Sequence, residues 1–330
     1  MQKKAWLTGF LVCVLSVQAY AVQLIPLGMP VGVCMTAQGV VISSMTQVES
    51  AAGAVSPGEK AGLQTGDILQ TADGKDLTSS EQLADMVKDG NGEPIVVTGL
   101  RADTEISAQL QPVKSTVSGE YQLGLLIRDS MAGIGTVTYA DPTDNSFGAL
   151  GHPISDVDSG ALLPLHSGCI VPAQVTDVVP GKSGEPGELI GQYDFSARIG
   201  ELEQNTVCGI FGTLCEPIHY NAQAVCETAS LSDVVLGEAE IISCVDGNTP
   251  RRYNIQIEKT DPQAQDGRSL TIRITDDALL SQTGGIVPGM SGSPILQDGK
   301  LVGAVTHVLV NNPQRGYGIS IDDMLAAAHS

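Results

Sequence analysis

Gly289-Met290-Ser291-Gly292-Ser293-Pro294 gathers the residue types that acyl transfer needs. A serine set between glycines stands out of a tight turn. The backbone N–H groups of Gly289 and Ser291 then converge on one point, where an oxyanion would form. Gly289 carries no side chain to crowd that point, and Ser293, two residues on, shapes the turn. Ile295 to Val305 follows, with Asp298-Gly299 inside it, and reads as strand, hairpin turn, strand.

A serine hydroxyl is a weak nucleophile until a base takes its proton, and the base works best when a further group fixes its tautomer. Five histidines are available. His152 lies in Phe147-Gly148-Ala149-Leu150-Gly151-His152-Pro153-Ile154-Ser155-Asp156, a turn bounded by glycine and proline after an apolar run. It is the first candidate for the base, and His166 is the second. His307, in the strand after the serine turn, is placed to line a pocket, while His219 and His329 have no supporting context. For the carboxylate, Asp276 ends a β-prone segment fifteen residues before Ser291, with Asp277 beside it. The chain order of chymotrypsin-like enzymes points instead near Asp194. Spacing alone leaves the three open.

These residues need rigid elements to meet. From about Ser115 onward the chain is glycine-rich and poor in helix signals, with short β-prone runs at Leu123–Ile127, Ile134–Tyr139, Ile170–Val175, Ala239–Cys244, Tyr253–Ile257 and Leu270–Ile274. Strands at this spacing predict a sandwich or barrel, and a pair of six-stranded barrels fits the length. The preceding region, residues 22–114, reads as a small α/β module. Val31–Met35 and Val40–Ile42 are strand-like, and Ser56-Pro57-Gly58-Glu59-Lys60 is a capped helical turn. Gly66 to Lys75 is a strand running into an Asp-Gly hairpin. Ser79 caps an amphipathic helix carrying Leu83, Met86 and Val87.

This module resembles a bacterial PDZ domain at Pro57-Gly58-Glu59-Lys60-Ala61-Gly62-Leu63 and Gly66-Asp67-Ile68-Leu69. The resemblance implies a groove in which a peptide adds to a sheet edge and its C-terminal carboxylate rests on an apolar-Gly-apolar loop. Val31-Gly32-Val33 is the expected loop, and Leu83 and Val87 line the groove or, equally, belong to the core. Across the whole chain, Gly124 to Thr138, Gly148 to His152 and Gly284 to Ile295 resemble the stage IV sporulation protein B family of signalling serine peptidases. The fold this implies is mainly β: a chymotrypsin-like double β-barrel over residues 115–330, preceded by the PDZ domain. It implies His152, Asp276 and Ser291 as the catalytic triad, with no metal or organic cofactor. It further implies action in the space between mother cell and forespore, where the enzyme cleaves itself and a membrane-bound regulator of an intramembrane protease. A late sporulation sigma factor is activated as a result. Two other functions fit the motifs: a PDZ scaffold with a dead peptidase domain, and a quality-control protease of the cell envelope. Pro153, directly after the histidine, departs from the expected family pattern and constrains that loop.

Residues 1–21 form the expected export segment: Lys3 and Lys4, an apolar run from Ala5 to about Val17, then Ala19-Tyr20-Ala21. The chain carries a formal charge of −20, and losing this segment removes two lysines and no acid, giving −22. That acidity argues against nucleic acid or an anionic lipid surface as a partner. Self-association stays open. Six cysteines follow the segment: Cys34, Cys169, Cys208, Cys215, Cys226 and Cys244. Their number permits disulfides, and the grouping of Cys208, Cys215, His219 and Cys226 matches no zinc spacing.

Overall fold

The computed structural model describes residues 22–102, 104–156, 160–217, 224–264 and 267–330. The expected export segment and His219 lie outside the described residues.

The expected pair of barrels is present. In the first, Gln23–Met45 pairs with Leu125–Ala140, which pairs with Ser146–Ala149 and on through Gly209–Leu214, Gly200–Thr206 and Leu165–Val179. This last strand returns to Gln23–Met45 and closes the ring. Phe147, Ile170 and Ile210 fill it. The second barrel closes through Gly237–Ser243, Arg251–Thr260, Leu270–Ile274, Arg315–Ser320, Lys300–Val308 and Pro294–Gln297. Along Arg251–Thr260 the buried residues Tyr253, Ile255 and Ile257 alternate with more exposed ones, the period of two that one buried face imposes. The Asp298-Gly299 hairpin forms as read, both residues at positive φ (51° and 77°), the conformation a two-residue hairpin turn demands.

The helix Ile321–Ala328 ties the barrels together. Ser320 caps it by accepting from Asp323 N. Its Ile321 and Met324 pack in one cluster with Leu24, Tyr139 and Phe211 of the first barrel and Leu301 and Ile319 of the second.

The PDZ unit grows out of the first barrel without a linker, because two of the barrel's own strands run on into it. Val40 and Val41 of the strand Gln23–Met45 pair with Leu69 and Ile68, and the sheet continues through Ile95–Arg101 to Thr104–Leu110. On the other side, Leu125 to Arg128 pair with Met45 to Val41. The helices Pro57–Lys60 and Ser80–Asp89 start at the serines expected to cap them, Ser56 and Ser79. The groove strand thus comes from residues after 114, and the division of the chain in space is not one cut.

This overturns the placement of the carboxylate-binding loop at Val31-Gly32-Val33. Those residues sit mid-strand in the first barrel, with both edges taken: by Gly135, Ile134 and Gly133 on one side and by Pro172, Val171 and Ile170 on the other. Paired backbone on both edges leaves no N–H for a carboxylate. The apolar-Gly-apolar triplet at the start of the PDZ groove is Leu123-Gly124-Leu125. Gly124 has φ 64°, and a Cβ on it would lie 2.4 Å from the Thr46 carbonyl oxygen, so only glycine fits. The N–H groups of Leu123 and Gly124 donate to no acceptor among the described residues.

Leu83 and Val87 do both jobs considered for them. They are buried in the PDZ core and they form the wall of the groove opposite Leu125 to Ile127.

The six cysteines are free thiols. Cys34 and Cys169 face each other across neighbouring strands.

Candidate active site

The barrels meet along a cleft of about 730 Å³ whose walls carry His152 and Ser291. Each residue is presented by a strained or glycine-dependent turn. Before His152, Leu150 and Gly151 both adopt positive φ, 67° and 69°. This is uncommon for leucine and marks a backbone held by its surroundings. Gly151 presses on the second barrel so closely that a Cβ would lie 2.9 Å from Thr306 Cγ2 and 3.0 Å from Ile319 Cγ2. Opposite, Gly292 has φ 95°, and a Cβ there would sit 2.0 Å from the Thr136 carbonyl oxygen. The serine turn is fastened to the first barrel by Thr136, whose N–H donates to Ser291 O at 3.1 Å and whose hydroxyl donates to Gly289 O at 2.9 Å.

The N–H groups of Gly289 and Ser291 donate to no acceptor among the described residues. Two such donors beside the serine hydroxyl are what a developing oxyanion requires. Ser291 Oγ donates to the Thr306 carbonyl oxygen at 2.7 Å.

His152 is half-buried, and its Nδ1 lies 2.9 Å from the Pro153 carbonyl oxygen. A carbonyl can only accept, so Nδ1 carries the proton and Nε2 is left with a lone pair. Burial pushes the imidazole below its ordinary value of 6.5, and the bond to Pro153 works in the opposite direction. The ring is therefore neutral at pH 7. His307 also lines the cleft, as its strand position suggested, with its ring centroid 5.2 Å from that of His152.

Asp276 is elsewhere. It caps the helix Asp277–Thr283: Oδ1 accepts from Leu279 N at 3.0 Å and Oδ2 from Asn254 N at 3.4 Å. Neither it nor Asp277, exposed in the first turn of that helix, lines the cleft, and nor does Asp194, which is exposed and accepts from Ser196 N. The sequence pattern Thr-Asp-Asp before an apolar turn is a helix-cap signal as much as a catalytic one, and the geometry uses it as a cap. His166 is exposed on Leu165–Val179, away from the cleft.

One carboxylate among the described residues does line the cleft, and sequence reading passed over it. Asp156 is 1 % exposed, accepts from Ser43 Oγ at 3.1 Å and lies 3.9 Å from Arg128 Nη1. Its place four residues after His152, on the same Gly/Pro-bounded turn, was the signal available.

Two six-stranded barrels with a serine and an imidazole in the cleft between them, joined to a PDZ domain, define a serine peptidase. Residues 119–325, more than half of the chain, match the SpoIVB peptidase S55 family, and the chain belongs to that family. No curated protein matches the sequence. Among solved structures, the chain is similar to the PDZ domain of the SdrC-like protein from Listeria monocytogenes, at 19 % identity and TM-score 0.23, covering 28 % of this chain and 90 % of that one. It is also similar to Rv3671c from Mycobacterium tuberculosis H37Rv, a serine-to-alanine mutant in an inactive form. There the identity is 13 % and the TM-score 0.29, over 60 % of this chain and 82 % of that one.

Proposed function

We propose that the protein is an endopeptidase in which Ser291 is the nucleophile and His152 the general base. The observation that carries this is the arrangement of one cleft: a serine hydroxyl, two uncommitted N–H groups beside it, and a neutral imidazole on the same walls. The hydroxyl turns from the Thr306 carbonyl toward His152 Nε2, loses its proton there and attacks the scissile carbonyl. Gly289 N–H and Ser291 N–H receive the oxyanion. His152 then protonates the leaving amine, and water releases the acyl group by the reverse sequence.

The carbonyl of Pro153 holds the imidazole where chymotrypsin-like enzymes use a carboxylate, which makes the working unit a dyad. Asp276 acts through the fold: by capping Asp277–Thr283 it fixes the helix that leads into the Ser291 turn.

Family membership supports a biological setting for this activity. The protein is exported by residues 1–21, acts between mother cell and forespore, and cleaves itself and a membrane-bound regulator whose loss switches on a late sporulation sigma factor. The PDZ groove takes a free C-terminus at Leu123-Gly124-Leu125, where a glycine turn with two free N–H groups forms a site for a carboxylate. The test is self-cleavage of the purified chain. The native protein should shorten with time and the Ser291→Ala variant should stay intact. Equal shortening of both would remove Ser291 from the mechanism.

A further inference from the structure

Two thiols stand opposite each other on the seam that closes the first barrel. Cys34 of Gln23–Met45 and Cys169 of Leu165–Val179 are register partners in an antiparallel pair of strands. Their neighbours Val33 and Ile170 belong to the barrel's core. Side chains alternate along a strand, so Cys34 and Cys169 share the outer face. Both are half-buried, and burial first, then Cys169 beside it, hold the Cys34 thiol above its ordinary range.

Directly opposed residues of an antiparallel pair have Cα atoms about 4.5 or 5.5 Å apart, according to the kind of pair. Both values lie inside the roughly 4.4–6.8 Å that a disulfide spans. The backbone already has the spacing of a cystine. Cys215 is the rival, since Arg198 feels both Cys169 and Cys215. The strand Gly200–Thr206 lies between them, however: Cys169 faces Glu201, and Glu201 faces Thr213 on Gly209–Leu214, the strand that Cys215 follows. Two ladder spacings are about 10 Å, which is out of reach.

The position matters because the seam ends just beyond it. Gln23–Met45 pairs with Leu165–Val179 only from Val31 to Ala37, with a register shift after Thr36, and by Val40 and Val41 it has crossed to Leu69 and Ile68 of the PDZ sheet. Cys34 sits just inside this fork. An opening that starts at the fork runs down the seam toward the cleft, which is lined by Val33 and by Ala132, the partner of Cys34 on its other side. A bond from Cys34 to Cys169 stops the opening there. In the unfolded chain the same bond closes a loop around the entire PDZ unit, and long loops give a cross-link its largest effect.

We propose that Cys34 and Cys169 are a modification site, at which oxidation by a disulfide, small or carried on a thiol oxidoreductase, forms a cystine that pins the first barrel at its fork. The thiolate of Cys169 attacks one sulfur of the oxidant. The oxidant's S–S bond breaks, its other sulfur leaves and takes up a proton, and Cys169 holds a mixed disulfide. Cys34 then loses its proton and attacks the Cys169 sulfur, expelling the second half of the oxidant as a thiol. Two protein thiols give up two electrons and one disulfide becomes two thiols. Cys169 acts first because burial keeps Cys34 protonated. The extracytoplasmic setting proposed above is where such an oxidant is met, and the site itself rests on the strand register.

The test equilibrates the native chain with oxidised glutathione or with dithiothreitol, alkylates the remaining thiols and maps peptides by mass spectrometry without reduction. The expected result is one linked pair, Cys34 with Cys169, in the oxidised sample, and a melting temperature about 5–10 °C above that of the reduced sample. In Cys34→Ser the linked pair and the melting difference should both vanish; the map of the native chain decides even where that variant does not fold. Alkylation of both cysteines after oxidation, or linkage of either to another cysteine or to a second chain, would overturn the site. A Cys34–Cys169 link with no rise in melting temperature would overturn the pin. None of these readouts uses peptide cleavage, so their failure leaves the Ser291 reading as it stands.

Discussion

The hydroxyl of Ser291 donates to the carbonyl oxygen of Thr306 at 2.7 Å. In this state the nucleophile is parked on the second barrel. Engagement with His152 exchanges that hydrogen bond for another.

The rate should depend on pH through His152. The base works only when neutral, and burial lowers its affinity for protons. The acid limb of kcat/KM should therefore fall below pH 6.5, with a plateau above. Stability follows the same group. The unfolded chain binds this proton more readily than the folded one, so stability is undiminished above about pH 6.5 and declines as pH falls below it. A pH–rate profile whose acid limb lies at or above 6.5 would contradict the burial argument.

Asp276 separates two mechanisms. If it is a cap, Asp276→Asn keeps activity within a few-fold, because asparagine caps as well as aspartate, while Asp276→Ala costs about 1–2 kcal/mol of stability. If it orients the imidazole, Asp276→Asn keeps the fold and lowers kcat by roughly 10⁴. Kinetics and thermal melts of the two variants decide, and the geometry predicts the first pattern.

Two glycines should respond in opposite ways. Gly292→Ala would put a Cβ 2.0 Å from the Thr136 carbonyl oxygen at a positive φ, at a cost of about 2–4 kcal/mol and loss of activity. Gly133→Ala meets open space and should change the melting free energy by less than about 0.5 kcal/mol. Similar melts for both would show that the seam between the barrels is looser than described.

Leu83, 1 % exposed on the helix Ser80–Asp89, belongs to groove and core together. Leu83→Ala should cost about 2–4 kcal/mol in chemical denaturation and weaken peptide binding as well. Loss of binding with unchanged stability would assign it to the groove alone.

Much of this was legible in the sequence, because local signals there agreed with the tertiary structure. Ser56 and Ser79 cap the helices they precede, Asp298-Gly299 makes its hairpin, and the glycine turns flag His152 and Ser291. What could not be read was which side of a boundary a segment joins. Val31-Gly32-Val33 and Leu123-Gly124-Leu125 are the same kind of triplet. Only long-range pairing, unknowable from either stretch, puts the first inside a barrel and the second at a groove mouth. Asp276 was ambiguous for a related reason: a carboxylate before a helical turn carries the same pattern whether it serves the helix or a catalytic imidazole. The orienting partner of His152 was invisible because it is a backbone carbonyl, and every residue has one.

The central claim is that one hydroxyl, on Ser291, is made reactive by the cleft. Reaction of the native chain with a fluorophosphonate or phosphonate probe, followed by peptide mapping, tests it most directly. The account predicts a single phosphonylated peptide containing Ser291, with labelling that rises with pH through the His152 titration and vanishes in His152→Ala. Labelling at another serine, or equal labelling without His152, would contradict it.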